Sequence, residues 1–217
     1  MEETVRSIHP YEPYIPEGAT KLIIGTMPPF RFCTSGGRAL HDNDVDFYYG
    51  SRDNSFWKLL SEVTGTPLAF ANTVEAVNQR KQLLQELHIG ITDIVGSCIH
   101  RDGKSDDASL ISIEPKPLDR LLLEHPNIEE LIYTSRAEVK KLIHRFFADK
   151  GPHPRRNDNT WKESVWINGR PYGVTRLYSP SPIALWSVSA DTRREQYQRV
   201  FSKHQIHSEF TAPEFSQ

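Results

Sequence analysis

The sequence predicts one three-layer α/β/α domain with a short, mainly parallel central sheet. Short β-branched runs alternate with amphipathic helical segments along the chain, and this order favours parallel strands covered by helices on both faces. The 217 residues are enough for one sizeable core, and no linker divides them. We expect a single domain over residues 1–217, with a loose C-terminal tail from about residue 206.

The elements of the first half follow from local patterns. The β-branched run Lys21–Gly25, closed by glycine and two prolines, predicts a buried strand, and residues 31–46 predict an exposed loop. Apolar residues at helical spacing predict helices over residues 55–63 and 74–87. Residues 91–96 predict a second buried strand, which carries the polar residue Asp93.

The second half continues the alternation of helices and strands. In order, the patterns predict a helix over residues 117–124, a third strand over 128–133 and a long helix over 137–147. Two further strands, 164–167 and 174–178, are joined through Asn168-Gly169, a strong hairpin signal. A polar-faced helix over residues 191–204 closes the fold.

Composition excludes several classes of protein. Hydrophobic residues make up 37% and charged residues 25%, and no apolar run approaches the roughly 18 residues that span a membrane. The N-terminal residues lack the basic and apolar regions of a secretion signal, so we expect a cytoplasmic, reducing location. A net charge of −2 argues against coating nucleic acid with the whole surface, but permits a small phosphate-binding face.

Neither metal nor cofactor is expected. Cys33 and Cys98 are too few for a four-thiolate cluster, although their spacing leaves a disulfide between them open. Eight histidines show no metal-ligand spacing and are interpreted as surface or packing residues: His41, His88, His100, His125, His144, His153, His204 and His207.

Four segments carry the candidate chemistry. They would supply a tight turn against a deoxyribose, an aromatic plane for a flipped base and an amide to hold water. In chain order they are Gly25-Thr26-Met27-Pro28-Pro29, Tyr49 to Trp57, Gly90 to Val95, and Tyr178-Ser179-Pro180-Ser181-Pro182. These segments and their order, over residues 21–203, resemble the uracil-DNA glycosylase superfamily. Residues 93–107 also resemble the hypoxanthine-DNA glycosylase branch of this superfamily. The chain is therefore most similar to the hypoxanthine-DNA glycosylase branch and the mismatch-specific branch.

The resemblance implies a monofunctional DNA glycosylase that flips a deaminated base, uracil or hypoxanthine, and hydrolyses its N-glycosidic bond. The implied partner is DNA with a damaged or mismatched base, and we expect a monomer. The implied base-binding residues are Gly25, Thr26, Met27, Pro28, Tyr49 and Asp93. The implied DNA-binding residues are Ser179, Pro180, Ser181, Pro182 and Ile183, the last as part of an apolar wedge.

One departure from the superfamily concerns the attacking water. Many members carry Asp or Asn two residues after the first-motif glycine, where this chain has Met27, which cannot hold a water. The hypoxanthine-type branch also lacks that polar residue, and the Asn before Phe-Trp is implicated instead. Asn54 is therefore the catalytic candidate, although it could merely cap the helix that begins at Ser55. Asp53 could hold the water, or complement the helix dipole.

The other site residues also have ordinary alternatives. Tyr48 and Tyr49 would point to opposite sides of an extended segment, and Tyr49 would either stack on the base or belong to the core. Asp93 would read the polar edge of a base or accept backbone amides. The Ser-Pro segment would grip phosphate or be a simple connection. Thr134-Ser135, where the family often has Asn and Gly, leaves the choice of base open.

Two other functions stay open from the sequence. Met27 could mean that catalysis is lost while the pocket remains, which would leave a catalytically inactive protein that binds nucleic acid or damaged bases. The chain could also be a hydrolase acting on free nucleosides or another small ligand.

Overall fold

The computed structural model describes residues 6–33, 38–101, 109–135, 137–150, 163–182 and 188–202. Within these ranges the strands are β1 (Arg6–Ile8), β2 (Lys21–Gly25), β3 (Ile89–Asp93), β4 (Val95–His100), β5 (Leu110–Pro115), β6 (Glu130–Tyr133), β7 (Ser164–Ile167) and β8 (Arg170–Arg176). The α-helices are α1 (Phe56–Thr64), α2 (Val74–Glu86), α3 (Leu118–Glu124), α4 (Glu138–Phe146) and α5 (Ala190–Phe201). A 3-10 turn occupies Phe30–Phe32.

The central sheet has the strand order β3-β2-β6-β8-β7. The first four strands are parallel, and β7 is antiparallel to β8. Helices cover both faces, so the prediction of a three-layer α/β/α fold with a mainly parallel sheet is confirmed. Strand β2 lies inside the sheet, and its successive side chains point alternately to the two helical layers. Leu22 and Ile24 pack with α3 and α4 on one face, whereas Ile23 packs with α1, α2 and α5 on the other.

Local turn chemistry fixes the hairpin at the edge of this sheet. Asn168 and Gly169 both have positive φ, 53° and 74°, as a two-residue type I′ turn requires. The chain thus reverses from β7 into β8 at the dipeptide that the sequence indicated.

A second, three-stranded antiparallel sheet, with the order β1-β4-β5, was not predicted. β1 has only three residues, and β5 alternates buried and exposed positions weakly, so neither gives a clear periodic signal. The predicted buried strand that carries Asp93 is present as β3, but it does not continue to residue 96 as one strand, because the chain changes sheets at Ile94. There, the N–H groups of Ile94 and Val95 donate to the carbonyls of Gly25 and Thr26, at 2.9 and 3.1 Å.

Three further features concern the cysteines, the helices and the C-terminal residues. Cys33 and Cys98 are buried and unpaired, so the disulfide that their spacing left open does not form. No helix in the described part of the chain is long and apolar enough to cross a membrane. The expected tail from about residue 206 lies outside the described residues.

Candidate functional site

A cleft of about 660 Å³ lies at the carboxyl ends of β2, β3 and β6. This edge of a parallel sheet is where α/β proteins place their ligands. The cleft brings the four sequence segments together. The predicted residues that line it are Thr26, Met27, Pro28, Tyr49, Asn54, Asp93, Ser179, Pro180, Ser181 and Pro182. Ile183, and with it the apolar wedge, lies outside the described residues.

Gly25 lies beneath the cleft as the last residue of β2. A Cβ atom at this position would lie 2.2 Å from Asp93 Oδ1 and 2.2 Å from the Tyr49 hydroxyl oxygen. Both polar atoms therefore converge directly above the Gly25 backbone. Only glycine permits this close approach, which explains why the segment Gly25-Thr26-Met27-Pro28-Pro29 begins with glycine.

Tyr49 and Tyr48 occupy different environments. Tyr49 adopts a left-handed conformation with φ of 54°, stacks on Phe56 at 4.5 Å between ring centroids, and lines the cleft. Its hydroxyl hydrogen-bonds with Thr134 Oγ1 at 2.8 Å. Tyr48 is buried in the core, and its hydroxyl donates to the Glu12 carbonyl at 3.0 Å. The cleft thus receives Tyr49, held at its ring face and its hydroxyl.

Asn54 lines the cleft and also organises the start of α1. Its Oδ1 accepts a hydrogen bond from the Phe56 N–H at 2.9 Å, so the capping interpretation is correct for that oxygen. This bond orients the side-chain amide and leaves its nitrogen and the second lone pair of its oxygen outside the cap. Next to it, both the N–H and the hydroxyl of Ser55 donate to the Pro180 carbonyl at 3.0 Å. The Ser-Pro segment is thereby fixed over the first turn of the helix.

The end of β6 contributes two hydroxyl groups. Thr134 is buried and its Oγ1 donates to the Ile24 carbonyl at 3.3 Å, in addition to its contact with Tyr49. Ser135 Oγ accepts from the Val139 N–H at 3.1 Å, at the start of α4. Both residues line the cleft.

Arg31 and Asp44 form a charged pair that the sequence analysis missed, because Asp44 lies in an aperiodic loop. Arg31 lines the cleft, and its guanidinium donates twice to Asp44, at 2.9 and 3.0 Å, and to Ser51 Oγ at 2.8 Å. Asp44 is fully buried and also accepts the backbone N–H groups of His41 and Arg52. Burial would raise the pKa of Asp44, but these hydrogen bonds and the Arg31 charge outweigh it and lower the pKa to about 2.

The depressed pKa of Asp44 predicts an acid-dependent loss of stability. A lowered carboxyl pKa adds stability above the ordinary value of 3.8, and this stability is lost as pH falls through about 2. Asp44→Asn should therefore cost roughly 3 kcal/mol of unfolding free energy at pH 7. It should also show a shallower decline than wild type between pH 4 and about 2. Urea unfolding across this pH range measures both effects.

Asp42→Asn is the matched control for this measurement, because Asp42 is exposed in the same loop. It should reproduce the wild-type stability and acid profile. Equal acid sensitivity of wild type and Asp44→Asn would contradict the role given to Asp44.

Asp93 is buried and bonded to a residue that the sequence analysis did not single out. His9 Nε2 lies 2.9 Å from Asp93 Oδ2, and the exposed fractions of the two side chains are 1% and 7%. His9 directly follows β1, in a short segment whose pattern gives no signal. The pair joins the second sheet to the central sheet, so Asp93 accepts from a side chain rather than from backbone amides.

A second cleft of about 530 Å³ lies behind Asp93 and is lined by His9, Asp93 and Lys116. Lys116 Nζ donates to the Tyr11 carbonyl at 2.6 Å and to the Tyr48 hydroxyl at 3.2 Å. Burial lowers the pKa of Lys116 to about 8, although the negative charges of Asp93 and Glu12 oppose this. Asp93 thus lies between two clefts, with a cation on the far side.

Comparison with known proteins identifies the fold. No protein-family model matches the chain, and no curated protein matches it in sequence. The solution NMR structure of a "putative Uracil DNA glycosylase" from Methanosarcina acetivorans matches over 94% of this chain and 99% of that one. The TM-score is 0.57 and the sequence identity is 18%. This chain shares that fold.

Proposed function

We propose that this protein is a DNA glycosylase of the uracil-DNA glycosylase superfamily, which flips a deaminated base into the cleft and hydrolyses its N-glycosidic bond. The observation that supports it is the convergence of an aromatic ring, a buried carboxylate and an amide on one cleft: Tyr49, Asp93 and Asn54. The fold shared with the Methanosarcina structure supports the same assignment.

The reaction needs an oriented water more than a strong base. As the C1′–N bond breaks, its electron pair moves to the base, and the sugar becomes oxocarbenium-like. Water then supplies hydroxide to C1′ and a proton to the departing base. The Asn54 amide, oriented by its bond to the first turn of α1, would hold this water. Met27, on the same cleft, supplies apolar shape.

Binding of the flipped nucleotide falls to the other segments. Tyr49 offers a base-stacking surface, an interaction that contributes roughly 1–3 kcal/mol. Ser179 Oγ accepts the Ser181 N–H at 3.2 Å, which shapes the segment that would meet the DNA backbone. Asp93 would meet the polar edge of the base at the cleft floor.

A base-release assay tests the proposal. Duplexes with uracil, hypoxanthine or a G·T mismatch are incubated with excess protein, and abasic sites are detected by alkaline cleavage. We expect release of uracil or hypoxanthine and none from the matched undamaged duplex. Release from free deoxyuridine or deoxyinosine alone would support a small-ligand hydrolase instead. The absence of both release and preferential binding would refute the proposal.

A catalytically inactive DNA binder is the second candidate, and two observations favour it. Met27 occupies the usual place of a water-binding residue, and Asn54 Oδ1 is engaged in capping. Under this alternative the pocket binds a damaged base, but nothing in it activates water.

Met27→Asn separates the two candidates. If Asn54 already holds the water, the new amide should leave uracil release unchanged or lower it. If the pocket is intact but inactive, the amide should create release, since roughly 1.4 kcal/mol of transition-state stabilisation is a tenfold gain in rate. Single-turnover cleavage measures the difference, with Met27→Leu as the apolar control. A strong gain over an inactive parent would contradict the enzymatic proposal.

A further inference from the structure

We propose that His9 makes the cleft selective for deaminated bases, because it holds Asp93 as a hydrogen-bond acceptor towards the ring N–H of the flipped base. This inference rests on the proposed function. It concerns a positioning residue from the smaller sheet, which acts on the base through Asp93.

The hydrogen bonds around His9 define which ring nitrogen carries the proton. Nδ1 lies 3.1 Å from both the nitrogen and the carbonyl oxygen of Tyr11. That carbonyl already accepts from Lys116 Nζ at 2.6 Å, so the Tyr11 N–H is the better partner for Nδ1. An accepting Nδ1 places the proton on Nε2, which donates to Asp93 Oδ2 at 2.9 Å.

This bond determines which carboxylate oxygen meets the base. Oδ2 is directed to His9, whereas Oδ1 lies above Gly25 at the point where the Tyr49 hydroxyl also converges. Asp93 and Tyr49 both line the cleft, so Oδ1 is positioned at its floor. His9 is almost completely buried and anchored at both ring nitrogens, and it therefore fixes the carboxylate in this orientation.

An acceptor in this position distinguishes deaminated bases from their parents. Deamination of adenine to hypoxanthine, or of cytosine to uracil, converts a ring nitrogen from an acceptor into an N–H donor. A fixed carboxylate oxygen pairs with that N–H and repels the lone pair of the parent base. Sites built to bond one polar edge can reject the mismatched analogue by factors of up to about 10⁴.

His9 is required because Asp93 alone could present either character. A carboxylic acid carries a proton and donates, and a carboxylate that rotates would offer its oxygens in other directions. The Nε2–H of His9 donates to Oδ2, which keeps that oxygen an acceptor, and Oδ1 is left to accept from the base. Loss of this donor should therefore reduce the difference in affinity between a base and its deaminated product.

Affinity measurements on uncleavable DNA test this role without depending on catalysis. The probes are duplexes with 2′-fluoro deoxyinosine, deoxyadenosine, deoxyuridine or deoxycytidine, each opposite an abasic analogue so that base pairing does not contribute. The readout is the ratio of dissociation constants, adenine over hypoxanthine and cytosine over uracil. Thermal melting reports whether each variant is folded.

Of the two ratios of dissociation constants, we follow the one that is larger in wild type. We expect His9→Leu to lower this ratio by at least about tenfold, the equivalent of one charge-assisted hydrogen bond. His9→Gln carries an amide N–H at about the reach of Nε2 and should keep the ratio within about threefold of wild type. His9→Asn is polar but too short to reach Asp93, so it should lose the ratio as His9→Leu does. It serves as the second test if His9→Leu does not fold.

The outcomes separate the inference from the proposed function. If wild type prefers the deaminated bases and folded His9→Leu or His9→Asn keeps the full ratio, His9 has only a structural role and the inference is wrong. If wild type shows no preference for either deaminated base, the proposed function fails and the inference fails with it. Loss of the ratio in His9→Leu together with retention in His9→Gln supports the inference.

Discussion

Asn54→Ala is expected to lower the single-turnover rate of base release by about 100-fold to 1,000-fold, the range found when one positioned polar group is removed from an active site. Affinity for uncleavable lesion DNA should change by less than about threefold, because a water-positioning amide acts on the chemical step. Asn54 lines the cleft, and its Oδ1 is fixed by the Phe56 N–H at 2.9 Å.

A second substitution separates catalysis from capping at the same position. Alanine also removes the Oδ1 cap of α1, which should cost about 1 kcal/mol of stability. Asn54→Ser restores a capping oxygen but supplies no amide, so it should regain stability while the rate stays low. Rapid cleavage by folded Asn54→Ser would show that Asn54 serves only to cap the helix.

The sequence predicted the parts of the fold that depend on local pattern. Strand β2 is a buried apolar run and Asn168-Gly169 strongly favours a type I′ hairpin turn, so both could be located without tertiary information. The second sheet could not be located, because β1 and β4 pair residues about 90 positions apart, as in Arg6 with Ile99. Their strand identity depends on this pairing and not on their own residues.

The site shows the same division between local motifs and distant partners. The segments around Gly25, Tyr49 and Asn54 could be identified because each is short and contiguous. His9 could not, because its bond to Asp93 spans 84 positions of sequence. Asp44 had the same difficulty, since an acidic residue in a loop is usually solvated, whereas here Arg31 and two backbone N–H groups surround it.

The position of the Tyr49 ring depends on a turn and not on an extended segment. The adjacent tyrosines were expected to face opposite sides of an extended segment. They do occupy different environments, but Tyr49 has a left-handed backbone with φ of 54°, so the segment is not extended there. The next residue, Gly50, has to be glycine, because a Cβ at that position would lie 1.8 Å from the Val45 carbonyl oxygen. The ring position therefore depends on a tight turn that the sequence analysis did not predict.

Gly25→Ala is expected to lower the rate of base release by about 100-fold, because displacement of reacting groups by about 1 Å can have that effect. The added Cβ would lie 2.2 Å from both Asp93 Oδ1 and the Tyr49 hydroxyl, so one or both side chains must move. Unlike Asn54→Ala, this change should also weaken binding of lesion DNA by about tenfold or more, since the displaced groups are those proposed to hold the base.

Gly65→Ala is the matched control for Gly25→Ala. Gly65 ends α1 with φ of 65° and has open space around the added Cβ, so alanine there meets only backbone strain. This should cost about 1 kcal/mol of stability and leave base release unchanged. Gly25→Ala adds crowding in a packed site, which costs roughly 1–3 kcal/mol, but β2 is paired on both sides and should remain folded. A folded Gly25→Ala variant with wild-type cleavage would show that the atoms above Gly25 do not hold the base.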